Sequence, residues 1–442
     1  MTLTRRDFIS LSSTAALTAT LAACGNSGTA DSGGDQRFTY WSMWQQGEPQ
    51  QVLLAELFEA FTEKTGIQVE AQWAGREVLT QVVPRLNSGN PPDLVDQAAS
   101  DFPAKLGLDN LADLTDLWAM PIDGEDITVG ESVPESLMDA LRTDGKIFCF
   151  PYSVAGETIF FNKRITPELV ENPPQSFDDL LAYLDERKAA GRTPIALDGD
   201  IKDYEAYWLE SALLRAGGRG VITEAAQDAT GEKFGSKPWV DATEAIGTLI
   251  AGGYFPAGFQ GTKFPTQQAS FADQSTKTDM ILMGTWFPSE ASSSLEKSGD
   301  DPDSVEWGSF KFPAVGDNAG AGIAISGPTG FAIPIKARNQ DAAKTWMAYF
   351  ANKERCGRIA SDAKNLTART DIDQSPELAD YGREYAEASD VVPFTDGVGV
   401  AEPQWVTDVW QPLVNDLFGA KIDAAQFREQ LAANTVTYHG NQ

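Results

Sequence analysis

The sequence has a single histidine and few cysteines, and these shortages remove whole classes of chemistry. His439, the only histidine, lies near the end of the chain, so a His-dependent nucleophile or a histidine-rich zinc site is not expected. Three cysteines in 442 residues cannot form a disulfide framework for a body of this size. Serine-hydrolase, phosphate-loop and metalloprotease motifs are also missing. The sequence therefore predicts no enzyme, no cofactor and no metal site.

Positive charge is also scarce. The chain has 34 Lys and Arg against 64 Asp and Glu, a net charge of −30. Such a field repels phosphate-rich partners, so nucleic acid is not expected as a ligand. The same acidity would also keep an exported protein soluble. After the first 35 residues no apolar run approaches the ~20 residues of a membrane-spanning helix, so the rest of the chain is predicted to stay outside the bilayer.

The first 35 residues carry an export address. Thr4–Ile9, with its paired arginines, resembles a twin-arginine signal. Leu21–Cys24 resembles a bacterial lipobox, which predicts a signal peptide at 1–23 and lipidation of Cys24. The Gly/Ser/Thr/Asp-rich segment 24–35 is typical of a flexible tether. We therefore expect the mature protein on the outer face of the cytoplasmic membrane, held there by lipid only.

The remaining residues, roughly 400, suit two domains and alternate between strand and helix patterns. Phe38–Trp41 favours a strand, the apolar residues between Leu53 and Phe61 recur at helical spacing, and Gly66 is a helix stop. Ile67–Ala71 alternates like a second strand, which completes a βαβ unit. The pattern predicts an α/β protein. Further strands are expected at 93–96, 146–152 and 158–161, and further helices after Ser176 and at 204–214, 241–251 and 340–350.

In their order, the motifs of this chain resemble those of the family-one extracellular solute-binding proteins, which include the maltose-type binding proteins of ABC importers. Each motif alone is weakly specific, but their order and the lipoprotein signal together are specific. The resemblance covers nearly the whole chain. It rests on Tyr40–Trp44, Phe61–Val69, Pro91–Val95, Asp144–Tyr152, Phe160–Lys163, Met283–Trp286, Phe312–Pro313 and the helix from Ala342 to Phe350.

This resemblance implies a two-lobed fold of the type II periplasmic-binding-protein class. Each lobe would be a mostly parallel sheet flanked by helices, and hinge strands would join the lobes. It implies a monomer that hands its ligand to an ABC permease and ATPase. By analogy, the chain crosses between lobes near 146–154, near 307–312 and near the Trp346 helix. The N-terminal lobe is then 36–147 plus 311–345, and the C-terminal lobe is 153–307 plus 346–442.

The candidate site residues suit a carbohydrate, and the resemblance implies an oligosaccharide. A sugar ring has an apolar face that packs on aromatic rings and a fringe of hydroxyls that binds carboxylates and guanidinium groups. Aromatic residues near strand ends and ion-forming residues beside them are therefore predicted to bind ligand, whereas Trp118, Trp239 and Trp346 are predicted to be structural. The ligand-binding candidates are Trp44, Glu48, Arg76, Asp96, Tyr152, Trp208, Trp286 and Trp405.

Two alternatives remain open from the sequence. One is a binding protein for a different solute, such as a polyamine or a peptide. The other is a secreted glycan-active enzyme, which would need two carboxylates across a scissile bond. Cys149 lies in an apolar run and is predicted to be a buried free thiol, although the residues do not decide whether Cys149 and Cys356 pair.

Overall fold

The computed structural model of the protein describes residues 37–143, 145–369 and 371–441. The predicted signal peptide, Cys24 and the tether lie outside these residues. Within the described part of the chain, no helix has the length and apolar character needed to cross a membrane. The strands are β1 Arg37–Ser42, β2 Gln68–Trp73, β3 Leu94–Ala98, β4 Arg142–Thr143, β5 Lys146–Ile147, β6 Phe150–Asn162, β7 Met280–Gly284, β8 Trp307–Phe310, β9 Ile323–Ala332, β10 Leu366–Thr367 and β11 Asp390–Val392.

Helices alternate with these strands and confirm the α/β prediction. Ser176 caps its helix as predicted, because its hydroxyl accepts from the Asp179 N–H and the Asp179 carboxylate accepts from the Ser176 N–H. The α-helices are α1 Pro49–Thr65, α2 Val78–Asn87, α3 Thr115–Trp118, α4 Glu135–Ala140, α5 Glu168–Glu171, α6 Phe177–Ala189, α7 Lys202–Gly217, α8 Thr223–Ala226, α9 Lys237–Ala251, α10 Thr266–Ala272, α11 Phe287–Ser298, α12 Gln340–Phe350, α13 Lys353–Ser361, α14 Ala379–Glu387, α15 Val398–Ala401, α16 Pro403–Trp405, α17 Gln411–Phe418 and α18 Ala424–Gly440.

The first βαβ unit forms as its sequence pattern predicts. Leu53, Leu54, Leu57, Phe58 and Phe61 are the buried apolar face of α1. The helix ends where Gly66 adopts a left-handed φ of 76° and its N–H bonds the Thr62 carbonyl. The chain then returns as β2, parallel to β1, and β3 adds to the other side of β1 in the same direction. Their carboxyl ends therefore meet at one edge of the sheet, where a ligand is expected.

One long strand, β6, connects two parts of the sheet. Its first half, Phe150–Gly156, pairs antiparallel with β9, and its second half, Glu157–Asn162, pairs antiparallel with β7 and β8. The large sheet is therefore mixed. β1 pairs parallel with β2 and β3, and β9 pairs parallel with β11, whereas the pairs of β6 with β7, β8, β9 and β10 and of β3 with β9 are antiparallel. The sequence pattern predicts separate strands at 146–152 and 158–161 and assigns no strand to the residues between them. In the structure β6 runs through these residues without interruption, because pairing partners on both sides keep the backbone extended.

Two buried clusters define the lobes. The first contains α1, α2, β1 and β3, and the second contains Ile159, Phe161 and the buried faces of α7, α9, α17 and α18. We call these the first and the second lobe. The first cluster also includes Phe160 and Phe287, which come from β6 and α11. The two lobes therefore share packing near β6.

The packing revises the segments assigned to each lobe. Trp346 and Phe350 of α12 pack in the first core, although the sequence analysis gives 346–442 to the C-terminal lobe. Phe312 and Val315 pack in the second core, although 311–345 is given to the N-terminal lobe. The reason is that the chain returns along β9, later than the predicted crossing near 307–312. The predicted bounds stay a prediction, and we propose moving these two segments.

Gly156 marks the change of partners along β6, and it has no room for a side chain. A Cβ atom there would lie 1.9 Å from the ring of Tyr381, which is fully buried and donates its hydroxyl to the Ile325 carbonyl. We expect Gly156→Ala to lower the free energy of unfolding in urea by about 1–3 kcal/mol through overpacking. Gly235→Ala is the matched control, because a Cβ atom added to Gly235 would have no neighbour within 4 Å. Equal unfolding curves for the two variants would contradict this account of the packing at Gly156.

Both described cysteines are free and buried. This confirms the prediction for Cys149, and it answers the question of pairing, since Cys149 and Cys356 form no disulfide. Burial raises the pKa of both thiols, so they stay protonated and unreactive at neutral pH.

Candidate ligand-binding cleft

A cleft opens between the carboxyl end of β1 and the helices that follow it on one side, and α10 and α11 on the other. Its first-lobe side includes three of the predicted ligand-binding residues, Trp44, Glu48 and Arg76. Its second-lobe side includes a fourth, Trp286. The structure therefore brings together side chains that lie more than 200 residues apart in sequence. The other cleft residues used below are Phe264, Gln268, Glu290 and Lys297.

Trp44 is held in place by a buried hydrogen-bonded chain. Its indole Nε1 donates to the Tyr152 hydroxyl over 2.8 Å, and that hydroxyl donates to Asp96 Oδ2 over 2.8 Å. The other Asp96 oxygen accepts from the Met43 N–H at 2.8 Å. Burial raises the pKa of Asp96 to about 6, although these hydrogen bonds act in the opposite direction. Asp96 and Tyr152 are fully buried and face Trp44 rather than the cleft.

Glu48 and Arg76 form a bidentate ion pair at the N-terminus of α1. Arg76 Nη1 and Nη2 each donate to Glu48 over 2.9 Å, and Nη1 also donates to the Met43 carbonyl at 2.7 Å. The guanidinium lies 4.8 Å from the ring centre of Trp44, a cation–π contact that covers one indole face. Both side chains are part-exposed, so the pair adds little to stability. Its effect is to orient donors and acceptors and to cancel charge.

Five aromatic rings follow one another along the second-lobe side, and we call them the aromatic wall. Tyr204 contacts Phe264 at 5.9 Å and Tyr207 at 5.8 Å between ring centres. Tyr207 contacts Phe394 at 5.8 Å, and Phe394 contacts Trp286 at 6.2 Å. Phe264 and Trp286, the two ends of the wall, line the cleft. Rings that are only partly buried and tilted against each other offer apolar faces to a half-wet ligand.

Trp286 depends on the glycine two residues before it. The indole ring lies directly on the backbone of Gly284, where an added Cβ would be 2.2 Å from ring atoms. Gly284 ends β7, and Trp286 is the N-cap residue of α11. The strand end therefore fixes the position of the indole in the cleft.

Gln268 and Glu290 form a polar pair beside the wall. Gln268 is fully buried, its Nε2 donates to Glu290 Oε2 over 2.9 Å, and its Oε1 has no hydrogen-bond partner among the described residues. Burial raises the pKa of Glu290 to about 7, while the Gln268 hydrogen bond lowers it. The pair was not foreseen from the sequence, because a Gln and a Glu on two short helices carry no motif.

Two predicted ligand residues lie in the second core instead. Trp208 is fully buried between Phe255 and Phe312. Trp405 is also fully buried, and its indole Nε1 donates to Thr435 Oγ1 over 2.8 Å. Neither lines the cleft, so the structure does not bring these two predicted residues to the candidate site. The reason is helix geometry, since both indoles occupy inward faces of helical segments where apolar burial dominates.

Removing the hydroxyl that supports Trp44 should weaken both folding and binding. Tyr152→Phe leaves the Trp44 N–H and Asp96 Oδ2 without their shared partner in a buried place. We expect a loss of about 1–3 kcal/mol in the free energy of unfolding, measured by urea denaturation. Ligand affinity should also fall, because Trp44 is no longer oriented. The control is Tyr438→Phe on α18, outside the cleft, and an equal effect on ligand affinity would contradict a special role for Tyr152.

The acidic side chains that line the cleft have partners within the protein. Among the described residues, no group of three His, Cys, Asp or Glu side chains is placed to hold a metal ion. The two carboxylates that line the cleft are both engaged, Glu48 with Arg76 and Glu290 with Gln268. The arrangement combines aromatic faces with preorganised polar groups, which is the composition of a small-molecule binding site.

The chain belongs to the bacterial extracellular solute-binding protein family, whose model matches residues 46–355. Among curated proteins it is 26% identical over 217 residues to the diacetylchitobiose binding protein NgcE of Streptomyces coelicolor. That match covers 48% of this chain and 45% of the relative, so the chain spans less than half of the relative's length.

Solved structures share the fold. A chitin oligosaccharide binding protein superposes with a TM-score of 0.73 at 18% identity, and the match covers 91% of this chain and 98% of that protein. The binding protein RafE, solved with raffinose, gives a TM-score of 0.71 at 17% identity over 91% and 99% of the two chains. These likenesses confirm the two-lobed fold of the solute-binding class. At this identity they show the fold alone.

Proposed function

We propose that the protein is the substrate-binding component of an ABC importer and that it captures a carbohydrate, an oligosaccharide, in the cleft between its lobes. The observation that carries the proposal is the aromatic wall, whose two ends, Phe264 and Trp286, line the cleft together with Trp44 and Arg76. Rings of this kind pack on sugar faces, while the Glu48–Arg76 and Gln268–Glu290 pairs supply acceptors and donors for hydroxyls. The names of the relatives support the same ligand class.

The charges in the cleft argue against a polyamine. Glu48 and Glu290 are balanced by Arg76 and Lys297, and Glu48 is already paired with Arg76. A polyamine site needs several unpaired carboxylates, because each buried ammonium group has to be compensated. The net charge of −30 is therefore a property of the whole chain rather than of this site.

Ligand binding would close the lobes about β6 and β9. Closure follows from differential affinity, since a ligand that contacts both sides of the cleft stabilises the closed form over the open one. A permease that recognises only the closed form would then accept loaded protein. A dissociation constant near micromolar, ~8 kcal/mol, suits capture followed by release.

The test is a thermal-shift panel on the purified mature protein. Diacetylchitobiose, maltotriose, cellotriose and raffinose are compared with spermidine and a tripeptide, each at millimolar concentration. We expect a rise in Tm with at least one saccharide and none with spermidine or the peptide, because only a ligand of the folded state stabilises it. A reducing-sugar assay on the same samples should show no product, and steady release of product would favour a glycan-active enzyme.

We further propose that Cys24 is lipidated and holds the protein on the outer face of the cytoplasmic membrane, near its permease and ATPase. The twin-arginine and lipobox patterns at 1–24 support this. The measurement is labelling of cells with an alkyne fatty acid, which should mark the wild type and leave Cys24→Ser unmarked and released into the medium.

A further inference from the structure

The polar pair at the aromatic wall has an unused acceptor. Glu290 carries acceptor oxygens when it is ionised, so the group of Gln268 that contacts it at 2.9 Å is the amide NH2. The amide oxygen, Oε1, then has no partner among the described residues, and the same is true of Gln267 Oε1. A buried acceptor without a donor is costly. Of these two residues only Gln268 lines the cleft, so a ligand that enters the cleft can supply the missing donor to Gln268.

The position of this acceptor is fixed before any ligand arrives. The carboxylate of Asp198, which is fully buried, accepts the backbone N–H groups of Gln267 at 2.8 Å and Gln268 at 3.1 Å. These bonds hold the first turn of α10, while Glu290 holds the end of the Gln268 side chain. A polar group held at both ends is preorganised, which is what discrimination between similar ligands requires.

The charges around the pair disfavour an anion. Arg76 is occupied by Glu48 and by the Met43 carbonyl, and Lys297 is exposed at the end of α11. A ligand carboxylate beside the pair would face the Glu290 carboxylate, while the remaining cation of the cleft, Lys297, is exposed to water that screens its charge. Like charges brought together in a partly buried site weaken binding strongly.

We propose that Gln268 and Glu290 are specificity-determining residues, which accept hydrogen bonds from neighbouring hydroxyl or N–H groups of an uncharged saccharide and reject acidic sugars. The inference rests on the proposed function and names its substrate class. Gln268 acts through Oε1, and Glu290 both orients the amide and accepts through its remaining oxygen.

The experiment compares each saccharide that binds in the panel with the same saccharide after its primary hydroxyl groups have been oxidised to carboxylates. Isothermal titration is done with the full mature protein at pH 8, above the pKa of Glu290, so that this carboxylate is charged. We expect the wild type to bind the neutral form at least tenfold more tightly than the oxidised form. Glu290→Gln should reduce this preference at least threefold, because it removes the opposing charge and keeps the shape.

A second pair of variants separates binding from folding. Gln268→Met removes both polar atoms at similar volume and should cost at least tenfold in affinity for the neutral saccharide. Gln267→Met, at the adjacent position of the same helix but outside the cleft, should leave affinity unchanged. Thermal unfolding without ligand shows whether each variant is folded.

Every result of these titrations either supports or overturns the inference. An oxidised saccharide that binds wild type as tightly as the neutral form overturns it and leaves the proposed function intact. The same holds if Glu290→Gln leaves the preference unchanged, or if Gln267→Met weakens binding as much as Gln268→Met. If no saccharide binds wild type, the proposed function and this inference both fail.

Discussion

Trp286→Ala should reduce affinity for a bound saccharide by tenfold to a hundredfold. The indole is an end of the aromatic wall, lines the cleft and rests on Gly284, so its removal deletes the apolar face against which a sugar ring packs. A loss of about 1.4–2.8 kcal/mol corresponds to that change and is reasonable for one large aromatic contact. Titration of intrinsic fluorescence or heat with the saccharide identified by the panel gives the ratio.

The matched control for Trp286 is Trp41→Ala. Trp41 lies on β1, is also partly buried, and contacts Arg85 at 5.7 Å from its ring centre rather than lining the cleft. Affinity should stay within about twofold for this variant. An equal loss for both variants would mean that general destabilisation, and not the wall, governs binding.

Glu157→Gln should make the protein more stable at pH 8 and change its stability little at pH 5. Glu157 is the first residue of β6 that pairs with β7. Its carboxylate accepts from the Ser211 hydroxyl through Oε1, and its Oε2 is buried and has no partner in the part of the chain that the structure describes. Burial raises the pKa of Glu157 above its ordinary value of 4.5, and Arg215 only partly offsets this. Gln keeps the Ser211 bond and carries no charge.

The sign of this pH effect follows from proton linkage. With a folded-state pKa above the unfolded value, the folded protein keeps a proton that the unfolded chain has released, so stability falls as pH rises from about 4.5 toward the raised pKa. The acids facing Glu157 are Glu210 on α7 and Glu384 on α14, and burial raises the pKa of both. Tyr207 and Tyr381 also face this cluster, and Arg215 is its cation.

The measurement is urea denaturation of wild type and variant at both pH values. We expect Glu157→Gln to gain roughly 1–3 kcal/mol relative to wild type at pH 8, an amount typical of relieving a buried unpaired charge. The difference in unfolding free energy between the variant and wild type is compared at the two pH values, which removes the contribution of the other buried acids. The exposed Glu59 on α1 provides the control, since Glu59→Gln should show the same difference at both pH values. A Glu157→Gln variant that is less stable than wild type at pH 8 would disprove the argument.

Much of the fold is predictable because its signals are local. The stop at Gly66 and the cap at Ser176 each depend on a few neighbouring residues and form as predicted. The return of the chain along β9 is not local. It depends on pairing between Phe150–Gly156 and Ser326–Phe331, which no short segment encodes, so the sequence alone places the crossing near 307–312 and we propose the later return along β9.

Half of the predicted site residues line the cleft, and the other four are buried away from it. Residue type alone favours Trp208 on α7, but the rings of this helix that join the aromatic wall are Tyr204 and Tyr207. Residues three apart share a helix face, whereas the next residue is rotated by about 100°. The signal for Tyr204 and Tyr207 was present as this spacing, yet which face meets the cleft is a tertiary property.

Asp96 and Tyr152 show a second limit. Both lie near strand ends as a ligand site requires, but their side chains support Trp44 from beneath. A sequence pattern can place a residue near a site. Whether that residue contacts the ligand itself, or instead supports another residue that does, depends on the packing of the whole fold. The pair of Gln268 and Glu290 was missed for a different reason. Its two residues lie on separate helices, and they become neighbours only when these helices pack together.

The continuity of β6 has a mechanical consequence. One backbone runs unbroken from Phe150 to Asn162 and exchanges partners at Gly156 and Glu157. If the lobes open about that point, as we propose, each ladder would keep its own hydrogen bonds and no secondary structure would have to melt. A protein that releases its ligand in this way would pass between loaded and empty states at little risk of unfolding or aggregation.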